Sequence, residues 1–294
     1  LLAVYFFDPK QFKTDRFGFK KTEKYRAQFL SETINELRSE LEKLNITLLV
    51  YTEEPEVKLP ELINTYNIEN VYLQKEWTFE ERLVVDGVKT NCPASVEFIE
   101  TYDQFLIHPE DLPYPSFDKI PEVFTQWRKK CEKQANIRKT VEVQPLDPEN
   151  LLGETTAIPS LEELGLESFE VDERTAFPFK GGELQALKRV EHYFWETKNL
   201  ARYKKTRNGL VGKEYSSKLS AWLANGSISP RTIYYEVKQF EKEETKNDST
   251  YWLIFELYWR DFFKYVSLKH GAKIFHLGGI LNKDYNWSQN KAAR

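Results

Sequence analysis

Apolar residues cluster in three short runs in the first third of the chain, at 1–7, 46–52 and 71–73, each rich in β-branched or aromatic side chains. Such runs, bounded by polar sequence, predict β-strands. Between the first two, Leu30, Ile34, Leu37, Leu41 and Leu44 recur at steps of three and four, the period of one helix face. A second helix is expected over residues 61–67. Strands separated by helices imply a parallel sheet covered on its faces, hence a Rossmann-like α/β domain, assigned to residues 1–125. No GxGxxG follows any of these runs, so the dinucleotide-binding version of that arrangement has no motif behind it.

The period changes in the second half. Gly181 and Gly182 precede Leu184, Leu187, Val190 and Phe194 at helical spacing, and little strand alternation follows, which predicts an all-α domain over residues 179–294. Residues 142–173 carry ten acidic and no basic side chains, with Pro145, Pro148 and Pro159 interspersed. That is the composition of a connector, assigned to residues 126–178.

Composition narrows the class. With 294 residues, 40% hydrophobic and 30% charged, the chain is expected to be globular. No apolar run approaches the roughly 20 residues that span a bilayer, and no membrane partner is expected. Cys92 and Cys131 have no second ligand pair beside them, which favours a reducing compartment over a disulfide framework or a zinc site. A soluble intracellular location, in cytoplasm or an organelle, is the expectation. The chain opens on an apolar run, holds no methionine and stops in a polar stretch, so it is expected to be part of a longer protein. The net charge is −4, yet residues 180–218 hold ten Lys or Arg against four Glu, a local balance suited to phosphate.

Two blocks carry candidate chemistry. Residues 203–231 read YKKTRNGLVGKEYSSKLSAWLANGSISPR, and their centre sets the Ser216, Ser217 and Ser220 hydroxyls and Lys218 between a glycine-bearing loop and an apolar helical pattern. Free N–H groups and the positive end of a helix make such a turn an anion seat, although Ser216 or Ser217 could equally serve only as an N-cap. Residues 250–266 read TYWLIFELYWRDFFKYV. On a helix Trp252, Phe255, Trp259, Phe262 and Val266 form one buried stripe, with Glu256 and Arg260 one turn apart as an ordinary ion pair or as pocket groups.

The string around SSKLS, then NGSISPR, then FELYWRDFF resembles the flavin-binding half of DNA photolyases and cryptochromes. TRNGLVG, GGELQAL and PEVFTQWRKK at 121–130 are similar to the DASH branch of that family. The resemblance implies FAD as cofactor, held by an incomplete helical FAD-binding domain that supplies the phosphate and adenine side. It implies that Tyr203 contacts the flavin phosphate region and that Ser216, Ser217, Lys218, Leu219 and Ser220 hold the pyrophosphate. Glu256 and Arg260 would supply polar contacts from the helix lining the pocket, and Trp259 would stack on a flipped thymine dimer. Trp287 falls where the family has the surface tryptophan of an electron-hopping chain, though a half-exposed tryptophan needs no such role. Glu76, in QKEWTFEE, matches a glutamate that contacts a methenyltetrahydrofolate antenna, and it would also suit a plain helix start. Lys273 is a further candidate for that antenna. The implied activity is that of a deoxyribodipyrimidine photo-lyase, a monomer acting on cyclobutane pyrimidine dimers in single-stranded DNA. A signalling photoreceptor and an inactive fragment are the alternatives. Relative to the family the opening strand is absent, and a gap or unpaired edge in the α/β sheet is expected.

Overall fold

The structure, a computed structural model, describes residues 1–288. Strands β1 (Leu2–Phe6) and β2 (Thr47–Tyr51) pair in parallel, as do β3 (Asn70–Gln74) and β4 (Glu97–Thr101). The crossovers that parallel pairing requires are helices: α1 (Lys24–Lys43), α2 (Pro55–Tyr66) and α3 (Phe79–Asn91) connect consecutive strands. The polar-rich stretches that fold as α3 and β4 carry too little periodicity to predict either. Of the expected α1 stripe only Ile34 is fully buried, with Ala27 beside it, and Leu37 is exposed.

The four strands do not make one Rossmann-like sheet but two separate two-stranded sheets. The sequence LAVYF of β1 is the continuous apolar run of an interior parallel strand, yet all five residues are only half-buried, while β2 is buried at four of its five positions. Tyr72 of β3 is 65% exposed. Leu2 and Val4 of β1 and Val71 and Leu73 of β3 line a common apolar cleft of about 570 Å³. The expected gap therefore lies between β1 and β3.

Beyond Thr101 the described residues contain helices and no strand: α4 (Phe124–Gln134), α5 (Glu183–Val190), α6 (Tyr203–Thr206), α7 (Ser220–Asn225), α8 (Pro230–Glu243) and α9 (Asp248–His270). α4 lies mostly within the residues assigned to the connector, but it is core: Trp127 and Cys131 are fully buried, and Trp127 meets Tyr258, Phe262 and Tyr265 of α9. No helix among the described residues is long and apolar enough to cross a membrane.

Two helices bury only part of the expected face. α5 and the turn after it bury Val190 and Phe194 of the expected stripe together with Ala186, Arg189 and Tyr193, while Leu184 and Leu187 are each 38% exposed. α9, which starts on a capping box of Asn247 and Thr250, buries Leu253, Leu257, Tyr258, Asp261, Phe262 and Tyr265. Trp252, Phe255, Trp259 and Val266 stay half-buried, so the expected core stripe is instead a lateral aromatic face. Polar anchoring sets this rotation. The buried Asp261 carboxylate accepts from the Ile107 N–H at 2.9 Å, and the Tyr265 hydroxyl donates to the Ile107 carbonyl at 2.6 Å. A paired buried carboxylate outweighs which aromatic faces inward, because leaving Asp261 unpaired there would cost several kcal/mol, on the order of 3–5.

Candidate functional site

The turn before α7 is shaped by a cation that sequence spacing hides. Arg189 is 3% exposed. Its guanidinium donates to the carbonyls of Lys213 at 2.9 Å and of Ser216 and Ser217 at 3.0 Å each, and to the Glu214 carboxylate at 3.2 Å. Its plane also lies 4.9 Å from the ring centres of both Phe179 and Tyr193. With carbonyls turned inward to Arg189, no main-chain N–H from Ser216 to Leu219 donates to another main-chain carbonyl among the described residues. The Ser216, Ser217 and Ser220 hydroxyls make no hydrogen bond there either. Lys218 adopts a left-handed backbone with φ 61°, and its ammonium folds over the Tyr215 ring at 3.6 Å while donating to the Tyr215 hydroxyl. Leu219, not Ser216 or Ser217, is the residue preceding the helix, and it makes no side-chain cap. The serines are not N-caps.

A second group lies around Tyr203. Tyr203 is buried, and burial pushes its phenol up, with Glu256 adding to the effect and Arg207 opposing it. Glu256 pairs with Arg207 at 2.8 Å. It does not pair with Arg260, one turn along. Arg260 instead donates to the Gln104 carbonyl at 2.8 Å and to the Leu223 carbonyl of α7 at 3.2 Å, tying α9 to both the strand region and the serine turn's helix. Trp252 has Lys204 and Arg207 over its ring at 4.6 and 5.6 Å. Trp259 is half-buried, with Phe124 stacked on it at 3.6 Å and Phe263 near-parallel at 5.3 Å.

Farther along α9 the strand region meets it through another titratable cluster. The Trp77 indole donates to the Ser267 hydroxyl at 2.9 Å. Burial pushes the neighbouring Glu76 carboxyl up, against the Gln74 amide hydrogen bond that lowers it. The cation brought to this place is Lys264 rather than Lys273: it sits over the Phe105 and Trp77 rings at 5.7 and 5.9 Å, and burial pushes it down to about 8. Asp261 is pushed up to about 6 by burial, with Arg260 opposing. Lys273 is exposed, and Trp287, 53% exposed, donates to the Leu277 carbonyl at 3.1 Å in the irregular tail. Thus Tyr203, Glu256 and Arg207 form one group, and no hydrogen bond or ion pair among the described residues joins it to the turn. Trp259 and Arg260, adjacent on α9, share no partner, Glu76 and Lys264 form a second group, and Trp287 stands at the surface. Arg189 and Lys264 were missed for one reason: each is a charge on an otherwise apolar face, and spacing cannot tell a buried cation from a solvated one.

A family model for DNA photolyase matches residues 1–149. The chain is 42% identical over 291 residues to Cryptochrome DASH of Gloeobacter violaceus, covering 99% of this chain and 58% of that protein. It is also 42% identical over 297 residues to Cryptochrome DASH of Xenopus laevis, covering 99% and 56%. Its backbone is similar to the crystal structure of the Synechocystis sp. PCC6803 cryptochrome, with a TM-score of 0.91, 41% identity, and coverage of 99% of this chain and 60% of that one. The chain belongs to the photolyase/cryptochrome family of flavoproteins. Within it, the chain falls in the cryptochrome DASH branch. It spans 58% and 56% of the length of the two curated relatives named here.

Proposed function

We propose that the chain is the α/β and phosphate-binding part of a cryptochrome DASH that repairs cyclobutane pyrimidine dimers in single-stranded DNA. In this reading residues 1–125 and 179–294 are two domains joined by 126–178, and the protein works as a monomer in the cytoplasm or an organelle. The observation that carries the proposal is the serine turn. Its N–H groups and three hydroxyls are unspent, while a buried arginine holds the carbonyls away from the space they face. Donors fixed in advance around an anion are what a diphosphate requires. FAD, when bound, supplies a light-excited reduced ring that gives an electron to the dimer and receives it back. The chain's own work is to grip and place. Ser216, Ser217 and Ser220 donate to the phosphates, with Lys218 as a nearby charge, and Tyr203 and Glu256 border them.

Trp259 is the wall against which an extruded base would stack, a contact worth about 1–3 kcal/mol. Its stacking partners Phe124 and Phe263 pre-set the plane of that wall. Glu76, with Lys264, is the place for a methenyltetrahydrofolate antenna, and Trp287 the exit of an electron path. In the longer protein, Ser217→Ala combined with Lys218→Glu is expected to weaken FAD by a few kcal/mol, at about 1.5–3 per hydrogen bond to a charged group. Flavin absorbance after dialysis reads this directly, and undiminished occupancy would refute the assignment.

A further inference from the structure

The ten Lys and Arg side chains of residues 180–218 do not share one fate. Arg189, Lys198, Lys204 and Arg207 each pair with a carboxylate, and Arg202 and Lys218 donate to Asn199 and Tyr215. Lys180, Lys188, Lys205 and Lys213 make no side-chain hydrogen bond, ion pair or ring contact among the described residues. Three of these four, Lys180, Lys188 and Lys213, line a single cleft of about 380 Å³ between α5, residues 178–180 and residues 213–214. Like charges gathered without a counter-ion repel one another, so the cations that the chain leaves unpaired converge on the place where an anion would relieve them.

Their backbones are fixed independently. Lys188 stands on α5, the Lys213 carbonyl accepts from Arg189 at 2.9 Å, and the Lys180 carbonyl accepts from the Trp222 indole at 3.1 Å. Both of those donors are buried side chains. The one carboxylate among the lining residues, Glu214, is already taken: Arg189 donates to it at 3.2 Å and the Asn199 amide at 3.3 Å. His192, also on the wall, has Nδ1 2.7 Å from Glu196 and Nε2 3.4 Å from Glu214. A cleft of this size takes a compact ligand, and lysine ammoniums meet phosphate as point charges that demand no planar fork.

We propose that this cleft binds a phosphate group, met by the ammoniums of Lys180, Lys188 and Lys213 and carried by a small phosphorylated compound or by a nucleic-acid strand. The site is distinct from the serine turn, because none of Ser216, Ser217, Lys218 and Ser220 lines it. It does not rest on FAD binding there.

The probes are inorganic pyrophosphate and a lesion-free oligothymidylate. Each is titrated calorimetrically into the 294-residue chain carrying Ser217→Ala with Lys218→Glu, so that the serine turn cannot account for the heat. At least one probe is expected to bind, with an affinity that falls as salt rises. Adding Lys188→Glu and Lys213→Glu is expected to weaken that probe at least tenfold with an unchanged melting temperature, since both side chains are exposed and unpaired. Lys139→Glu with Lys246→Glu makes the same change in net charge at exposed positions elsewhere and should leave the affinity nearly unchanged. Pyrophosphate bound in this way marks a small phosphate compound as the ligand, and oligothymidylate bound alone marks a strand. The proposal is overturned if neither probe binds, if whatever binds is not weakened by Lys188→Glu with Lys213→Glu, or if Lys139→Glu with Lys246→Glu weakens it as much. That last result would reduce the effect to net charge.

Discussion

The turn at 213–220 and the strands of 2–101 treat their main-chain polar groups in opposite ways. In the turn, one buried arginine collects three carbonyls, and the N–H groups of 216–219 and the serine hydroxyls make no hydrogen bond among the described residues. Its shape is complete without any ligand. In the strand region, β1 and β3 face a shared apolar cleft with no hydrogen bond joining them, and an all-apolar strand is left half in water. There the packing is unfinished. Unspent donors held by a buried cation and unspent edges walled by leucines and valines both look like absence, but only the first is pre-organised for a small anion. Most of the large core of the chain lies with the helices, where Trp127, Tyr193, Trp222, Phe240 and Tyr265 are all fully buried, whereas the strands share a smaller cluster around Phe7, Ile34, Leu48 and Val50.

That contrast predicts where substitutions should hurt. Arg189→Ala should cost the most, about 3–5 kcal/mol, because it strips the partners from three carbonyls and from Glu214 at once. Urea unfolding of the variant checks it. A cost below about 1 kcal/mol would mean that the turn does not depend on its cation. Trp259→Ala should cost less, about 2–3 kcal/mol. A half-buried indole loses only part of the 3–5 expected of a core aromatic, though its stack on Phe124 goes with it. If it is also the lesion wall, the longer protein should lose about 1–3 kcal/mol of affinity for dimer-containing single strands while keeping FAD. Affinity unchanged in the variant would take the base-stacking role from Trp259. In the unfinished region, Val4→Ala should cost only about 1 kcal/mol, less than full burial of a valine gives. A loss as large as that of Trp259→Ala would show β1 to be fully packed in solution.

A further effect is one of pH. Burial holds the folded-state pKa of Lys264 at about 8, below the unfolded value near 10.4. The unfolded chain therefore binds more protons between these values, and stability should rise with pH across that window. Asp261, Arg260 and Glu76 are the charged groups that face it. Lys264→Met should flatten the rise in urea midpoints above pH 8, and an unaltered slope would place the titration elsewhere.

Much of the outline is legible in residue pattern. Three of the four strands and the helix between β1 and β2 follow from short apolar runs and a step of three and four. The pairing of strands is not legible, since LAVYF looks the same whether its neighbour is present or missing. Rotation of a helix is harder still. In α9 apolar side chains surround the axis, and the inward face is chosen by Asp261 and Tyr265, whose partner Ile107 is more than 150 positions away in sequence. The same holds for the site. The serines announce themselves by composition beside Gly209 and Gly212, whereas Arg189, Lys264 and the true partner of Glu256 come from segments brought together only by the fold.

The central claim is that the 213–220 turn is a diphosphate seat shaped in advance by Arg189. ADP tests it most directly, because it carries the diphosphate without the flavin ring. In calorimetric titration of the 294-residue chain, ADP is expected to bind and to be displaced by FAD. Ser217→Ala with Lys218→Glu should then lose at least tenfold in affinity, the equivalent of about 1.4 kcal/mol. ADP binding equally well to both chains, or to neither, would contradict the account.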